Sequence, residues 1–426
     1  MKRLLSKPSR PAPVLAVAAA AFALAAFTVP ARAEGGAFDA DAFFGSSPAP
    51  EASAQAPVGG EGGVPFAFAP APGSQGGLSL RGEASASAAA AVLSPFDPEA
   101  RTADYYGSSA ARIDAIGGDR NAAKFEASVS IEAFFGAAAD QAEALPAAGL
   151  LAARPSPEGP ALALGLEKLF VSVHTPLVDL AAGRMIINYG RGTALSPVDL
   201  FATVGLAGTE LKRSPNDAAR ARIPYGPFSG LDLVSTLQPG PADGVAGARH
   251  YGYLAGVDYG LSAFRDGRGS GALVAGFDAK FDLGPGWSFE AVARLPWESG
   301  APSTDGAGYS LMLGADYSIG GKLFLDAELE WNLGELGMTS AGSYGAQAGQ
   351  GEPPRLRGFG SVSLKIDELS TVDLRALVDS SGAYQLGLAA ARSVASGARV
   401  ILFAQLAESG AAPQLLTVGA SLSVAF

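Results

Sequence analysis

Cysteine is absent from the 426 residues, so no disulfide framework and no thiolate zinc or iron–sulfur site can form. Histidine is nearly absent as well: His174 and His250 are the only two, which removes histidine-rich metal sites. Positive charge is scarce. There are 30 basic against 41 acidic residues, and a formal charge of −11 argues against partnership with nucleic-acid phosphates. No G-x-S-x-G nucleophile elbow occurs. Glycine (56) and proline (29) are plentiful, which suits an all-β chain with many turns and falls short of the composition of disorder.

The amino-terminal residues stand apart. "MKRLLSKPSR" supplies Lys2, Arg3, Lys7 and Arg10 and leads into "VLAVAAAAFALAAFTV", which exits through "PARA" with Ala31 and Ala33. A basic start, an apolar middle and a small-residue exit read as a secretory signal peptide over residues 1–33. The apolar run is shorter than the roughly 20 residues a membrane-spanning helix needs. Without it, 25 basic residues face 41 acidic ones, a charge of −16. Residues 34–76 are rich in Ala, Gly, Pro and Ser and are expected to form a flexible periplasmic segment. Its island "FDADAFFG" sets three phenylalanines beside Asp39 and Asp41, as a sticky piece of tail or a recognition peptide. Two carboxylates are too few for a calcium loop.

From about Leu78 the pattern acquires a period of two. "WSFEAVARLPW" puts Trp287, Phe289, Ala291, Ala293, Leu295 and Trp297 on one face, against Ser288, Glu290 and Arg294. "LFLDAELEW" sets Leu323, Leu325, Leu329 and Trp331 against Asp326, Glu328 and Glu330. A soluble sandwich also alternates. Segments of nine to eleven residues, with Trp or Tyr at the ends of their apolar faces, instead match strands that cross a bilayer between aromatic girdles. Three carboxylates in a row suit a wet lumen and not a dry core. The expected fold is therefore all-β: a transmembrane antiparallel up-and-down β-barrel over residues 77–426, with about 14 strands (14–16).

Short turns such as "DLGPG" (282–286), "SIGGK" (318–322) and "DELS" (367–370) alternate with longer connections at 137–161, 191–217, 298–308 and 334–356, as in outer-membrane barrels. The last stretch, "LLTVGASLSVAF", places Leu416, Val418, Ala420, Leu422 and Val424 on one face and ends on Phe426. That strand must close on the first, because an open edge cannot exist in hydrocarbon. Leu422, Val424 and Phe426 resemble the carboxyl-terminal assembly signal of Gram-negative outer-membrane barrels. The resemblance implies recognition by the barrel-assembly machinery.

One motif has individuality. In "AGRMIINYGRGTALSPVDLF" (182–201), Gly183, Arg184, Ile187, Gly190, Gly192, Pro197, Asp199, Leu200 and Phe201 match a Gly-Arg-Gln, apolar, Trp-Gly-x-Gly, Pro-x-Asp-Leu-Phe pattern. It resembles a signature of porin-like outer-membrane barrels of diderm bacteria, including a domain of unknown function and relatives of polysaccharide-export porins. Met185 stands where Gln is common in that pattern and Tyr189 where Trp is. The resemblance implies a barrel and porin-like transport and names no solute. Read physically, Met185, Ile187 and Tyr189 would face lipid and Arg184 and Asn188 the lumen. Gly190-Arg191-Gly192 would then free the backbone, and Ser196-Pro197-x-Asp199 would turn it. A loop folding inward would bring Arg191 and Asp199 to a constriction; alternatively an Arg184–Asp199 ion pair pins the loop.

The expected function is passive passage of small hydrophilic solutes across the outer membrane, with no cofactor, metal or nucleic acid involved and a homo-oligomer possible. Pore-lining or constriction candidates are Arg184, Asn188, Arg191, Asp199, Asp326, Glu328 and Glu330. Inward acids outnumber inward bases, so a weak cation preference is expected. The alternative is a closed barrel serving as adhesin or scaffold. An outer-membrane hydrolase is the remotest reading: both histidines fall at the periplasmic end without a nearby nucleophile, and "GRGSG" (267–271) lacks the context of a phosphate loop.

Overall fold

The computed structural model describes residues 77–426 except 120–121, 137–150, 154–158, 202–203, 208–209, 239–243, 269–270, 299, 334–354 and 409–413. The signal peptide and the 34–76 segment lie outside the described residues. The main sheet has 20 strands, all paired antiparallel. Leu151–Ala153 and Ala301–Pro302 are short flanking pieces, and the other 18 form a closed ring from Ser79–Leu93 round to Leu415–Ala425. Val204–Ala207 and Glu210–Arg213 pair separately.

Closure runs from Glu83↔Ala425 to Leu93↔Leu415. It extends one residue further. Gly82 N–H donates to the Phe426 carbonyl at 2.7 Å, and Phe426 N–H to the Gly82 carbonyl at 2.8 Å. The Phe426 ring covers Gly82 so closely that a Cβ there would overlap it. The residue at this spot has to be glycine for the ring to lie flat on the seam.

Burial follows the period of two. On Leu323–Leu333, Phe324, Asp326, Glu328, Glu330 and Asn332 are buried, whereas Leu329, Trp331 and Leu333 are exposed on the outer wall. An apolar belt turned outward is what a wall facing lipid requires. Short turns gather at one rim: 175–178, 227–228, 255–256, 283–285, 320–322, 366–369 and 396–397. In one of the two-residue turns, Ala255 and Gly256 both have positive φ (52° and 87°), the conformation favoured in such hairpins.

The expected count of about 14 strands is corrected to 18. Two strands precede "KFEASVSIEAFF": the first contains "LSLRGEASASA", whose inclusion gives the upper count of 16, and the second, Thr102–Asp119, goes unread because the middle of the outward face is small. Ala84, Ala86 and Ala88 on Ser79–Leu93 pair with Ala111, Ser109 and Gly107 of Thr102–Asp119. With so little bulk outside, the wall carries a shallow groove of about 510 Å³ bordered by Tyr105, Phe135 and Val418. The others were masked by charge and by a tight turn: Asn216–Gly226 carries Arg220 and Arg222, and "HYGYLAGVDYGLSAF", which reads as one strand, belongs to two, Val245–Leu254 and Val257–Asp266.

Candidate functional site

Past Met185 the chain leaves the wall and folds into the barrel. Its inner position is driven by an apolar set that the strand pattern alone assigned to lipid: Met185, Ile187 and Tyr189 are 5%, 0% and 3% exposed. With Val198, Leu200 and Phe201 they form one cluster with Val234, Val245, Phe264, Val274 and Val292 of the inner wall. Burying apolar area of this extent is the main force holding the loop. Tyr189 lies parallel to Phe264 (5.7 Å, 16°), and Phe201 stands edge-on to both. The guanidinium groups of Arg220 and Arg249 approach the Tyr189 ring at 5.6 and 5.4 Å. Further along, Leu195 fills a pocket of Met312, Phe359 and Leu377.

Two wall glutamates hold the backbone of this loop. Glu290 accepts from the N–H groups of Arg191 (2.5 Å), Gly192 (3.0 Å) and Val198 (3.0 Å), and from the Ser196 hydroxyl (2.9 Å). Glu328 accepts from the N–H groups of Thr193, Ala194 (3.0 Å) and Leu195 (2.7 Å). Convergent amides of this kind form a nest for an anion, here supplied by side chains. The glycines of the motif are explained by space. A Cβ on Gly190 would strike the Ser196 side chain, and one on Gly192 would strike the Leu195 carbonyl and approach the Met312 methyl at 3.0 Å.

Charged side chains around the loop are paired. Arg191 binds Asp278 (2.7 Å) and Asp258 (3.3 Å), and Arg249 shares Asp278 at 2.7 Å. Asp232 takes both forks of Arg220. Asp266 holds Arg268 (2.8 Å) and Arg294 (2.9 Å), and Glu330 holds Arg357 (2.5 Å). Ion pairs removed from water survive only with such close partners.

The structure redistributes the residues expected at a constriction. Asn188, Arg191 and Asp199 are on the inward loop. Asn188 is exposed, and its side-chain oxygen accepts from Gly190 N–H at 3.2 Å. Asp199 is buried; it accepts from Phe201 N–H, and its own N–H donates to Ser196, giving the turn expected there. Arg184 does not face the lumen. It shares the outward register of Leu169 and pairs with Asp217 (2.7 Å), not Asp199, because the chain turns in only at Met185. Asp326, Glu328 and Glu330 do point inward, yet at 6%, 3% and 0% exposure they lie under the loop instead of lining water.

Glu290, Asp278, Arg249 and Phe264 carry the site and were not singled out in the sequence. A signal was present: where the loop docks, strands lose their alternation, as in "ALVA" (272–275), because the inner face, at Ala272 and Val274, is apolar as well as the outer one. A short Gly-x-Gly loop with many free amides also calls for an inward acid.

No family model matches the chain, the motif at 183–201 included, and no curated protein is similar to it in sequence. Solved structures do match. The chain is similar to OccAB4 of Acinetobacter baumannii (TM-score 0.53, 6% identity, 82% of this chain and 98% of that one). It is similar to OccAB3 of the same organism (0.51, 11%, 82% and 99%) and to Pseudomonas aeruginosa OpdK, solved with vanillate (0.51, 9%, 82% and 98%). At such low identity the likeness is one of fold: this chain has the closed antiparallel barrel of those proteins.

Proposed function

We propose that the protein is an outer-membrane channel for passive passage of small hydrophilic solutes. The observation that carries this reading is the inward loop. It packs against one side of the inner wall, between Ala161 and Asp379, and so narrows the lumen from that side. Opposite it, the strands between Ser79 and Gly136 turn polar groups inward, among them the bonded hydroxyls of Ser87 and Ser108 (2.7 Å) and the Arg112–Glu167 pair (3.2 Å), next to a small apolar patch of Ala389, Ala391, Ile401 and Phe403. A polar wall facing a narrowing loop suits hydrated solutes and not fatty ones. The exposed apolar belt, and the fold shared with the Occ and Opd proteins, support placement in the outer membrane with the short turns toward the periplasm.

A weak cation preference accompanies the proposal. It rests on the solvated carboxylates, chiefly Asp258, whose side chain is 53% exposed, because the buried acids are already matched. The test is conductance in a planar bilayer under a salt gradient. A reversal potential on the cation side is expected, moving further that way in Arg191→Gln. Arg184→Gln should leave it unchanged, since that pair sits on the outer wall. A value favouring anions overturns the preference, and a silent, folded barrel favours the scaffold reading.

Electrophoresis in SDS supplies the prior check. Unheated protein is expected to run faster than boiled protein, because the ring of strands has no open edge at which detergent could start to unzip it. Equal mobility of folded and boiled samples would contradict a closed barrel.

A further inference from the structure

One acid of the inner wall stands outside the pairing that matches the acids around the loop. Asp373, on the strand Ser370–Asp379, is 9% exposed, yet its carboxylate takes no hydrogen bond and no ion pair among the described residues. A charge buried without a partner is costly, so such a group points to something the wall does not supply. Asp373 faces inward. Its neighbour Leu374 is exposed on the outer wall, whereas Leu377, on the same face as Asp373, packs against Leu195 of the loop.

A small recess opens beside it. The recess is lined by Asp373, Arg375, Gly387, Ala389, Phe403 and Gln405 and holds about 20 Å³, room for one water-sized group. In register, Arg375, Gly387 and Gln405 stand in one row, and Asp373, Ala389 and Phe403 in the next. Glycine leaves the floor open: a Cβ on Gly387 would meet nothing within 4 Å. The Phe403 ring lies over Gly419, where a Cβ would come within 2.6 Å of it. The Gln405 amide has no hydrogen-bond partner among the described residues.

These groups select a class of solute. An unpaired carboxylate accepts from a donor, and the amide both accepts and donates. An ammonium group in the recess would meet the Arg375 guanidinium, and a carboxylate would meet Asp373, so either ion is opposed. A hydroxyl group suits both neighbours. The flat apolar face of a sugar ring can lie on the half-buried Phe403 while one of its hydroxyls enters the recess. The place is on the route: Leu377, which carries Leu195 of the inward loop, follows Arg375 on the same face, so the recess borders the narrowed lumen.

We propose that this recess is a solute subsite for an uncharged sugar ring, with Asp373 and Gln405 bonding its hydroxyls and Phe403 under its apolar face. The passage of the sugar rests on the channel reading above; its binding is measured without current. Saturation-transfer NMR of the folded barrel in detergent, with D-glucose as probe, is expected to show saturable binding at millimolar concentration, weak enough for a solute to leave again. Asp373→Ala should weaken binding about tenfold or more, because a hydrogen bond to a charged group is lost. Gly387→Leu should abolish it by filling the recess. Neither change should harm the wall, since one removes an unpaired charge and the other fills open space. Unheated mobility in SDS checks that each variant is folded.

Folded wild-type protein without saturable glucose binding overturns the inference, and so does equal binding by wild type and both variants. Tighter binding of butylammonium or of butyrate than of glucose would make the recess an ion site and overturns it as well. Conductance separates the two readings. Glucose is expected to reduce single-channel current in the wild type and not in Gly387→Leu. A barrel that conducts and ignores glucose keeps the channel and loses the subsite. A folded barrel that binds glucose and carries no current loses the channel reading and keeps the binding site.

Discussion

Exchange of Glu328 for glutamine is expected to raise single-channel conductance several-fold and to make the inward loop cleavable by protease, with the barrel still resistant to SDS. The carboxylate now accepts from three consecutive amides, at Thr193, Ala194 and Leu195. Glutamine keeps one acceptor oxygen and turns an NH2 group toward N–H donors, so at least one donor loses its partner. Each buried donor left unmatched costs about 1–3 kcal/mol, and 1.4 kcal/mol already shifts a population tenfold. The Leu195 pocket would remain, so release should be partial. Adding Glu290→Gln removes the second nest, at Arg191, Gly192 and Val198, and should complete it. Unheated mobility in SDS separates this outcome from a failure to fold. A folded double variant with wild-type conductance would show that the glutamates do not set the aperture.

Deletion of Phe426 is expected to produce the largest loss of assembled protein. The residue contributes two seam hydrogen bonds to Gly82 and a ring that covers it. Val424 and Leu422 face outward opposite Ala84 and Ala86, on the lipid side of the same seam. Unpaired backbone groups in hydrocarbon cost several kcal/mol each, so the closing edge tolerates little. We expect the heat-modifiable fraction to fall at least severalfold for the deletion and for Gly82→Leu, whose side chain would enter the Phe426 ring. Phe426→Tyr should retain most of it. Because both changes act on one contact, the double variant should lose little more than either alone. Full assembly of the deletion would remove Phe426 from closure and, with it, the assembly signal read from the sequence.

Much of the barrel was legible because lipid imposes a strict rule on one face. Where that face is Leu, Phe, Trp or Tyr, as on Gly286–Glu298 and Leu323–Leu333, strand and orientation follow from the letters. Where it is Ala, Gly or Ser, as at Ala84, Ala86 and Ala88 and their partners Ala111, Ser109 and Gly107, the contrast fades and the strand count falls short. The motif at 182–201 exposes a second limit. A period of two says that Met185, Ile187 and Tyr189 share a side; it does not say which. They point inward because Phe264 and Val274 offer them a dry surface, and that surface lies dozens of residues away in sequence. The same distance hid the meaning of Glu290. An inward acid on a strand looks like pore lining until a loop's amides arrive to cover it.

The buried acids also have an electrical meaning for the whole molecule. A protein drifting in an applied field responds to its total charge, here strongly negative. An ion inside the proposed channel would sample something else: Asp232, Asp266, Asp278 and Glu330 are each closed on a guanidinium, while Glu290 and Glu328 keep their charge under the loop, held by neutral amides. Short internal pairs of this kind leave almost no far field. Two voltmeters placed on the same chain, one reading its migration and one the permeation proposed for it, would therefore report two different proteins: a distinct anion from without and a much weaker one from within.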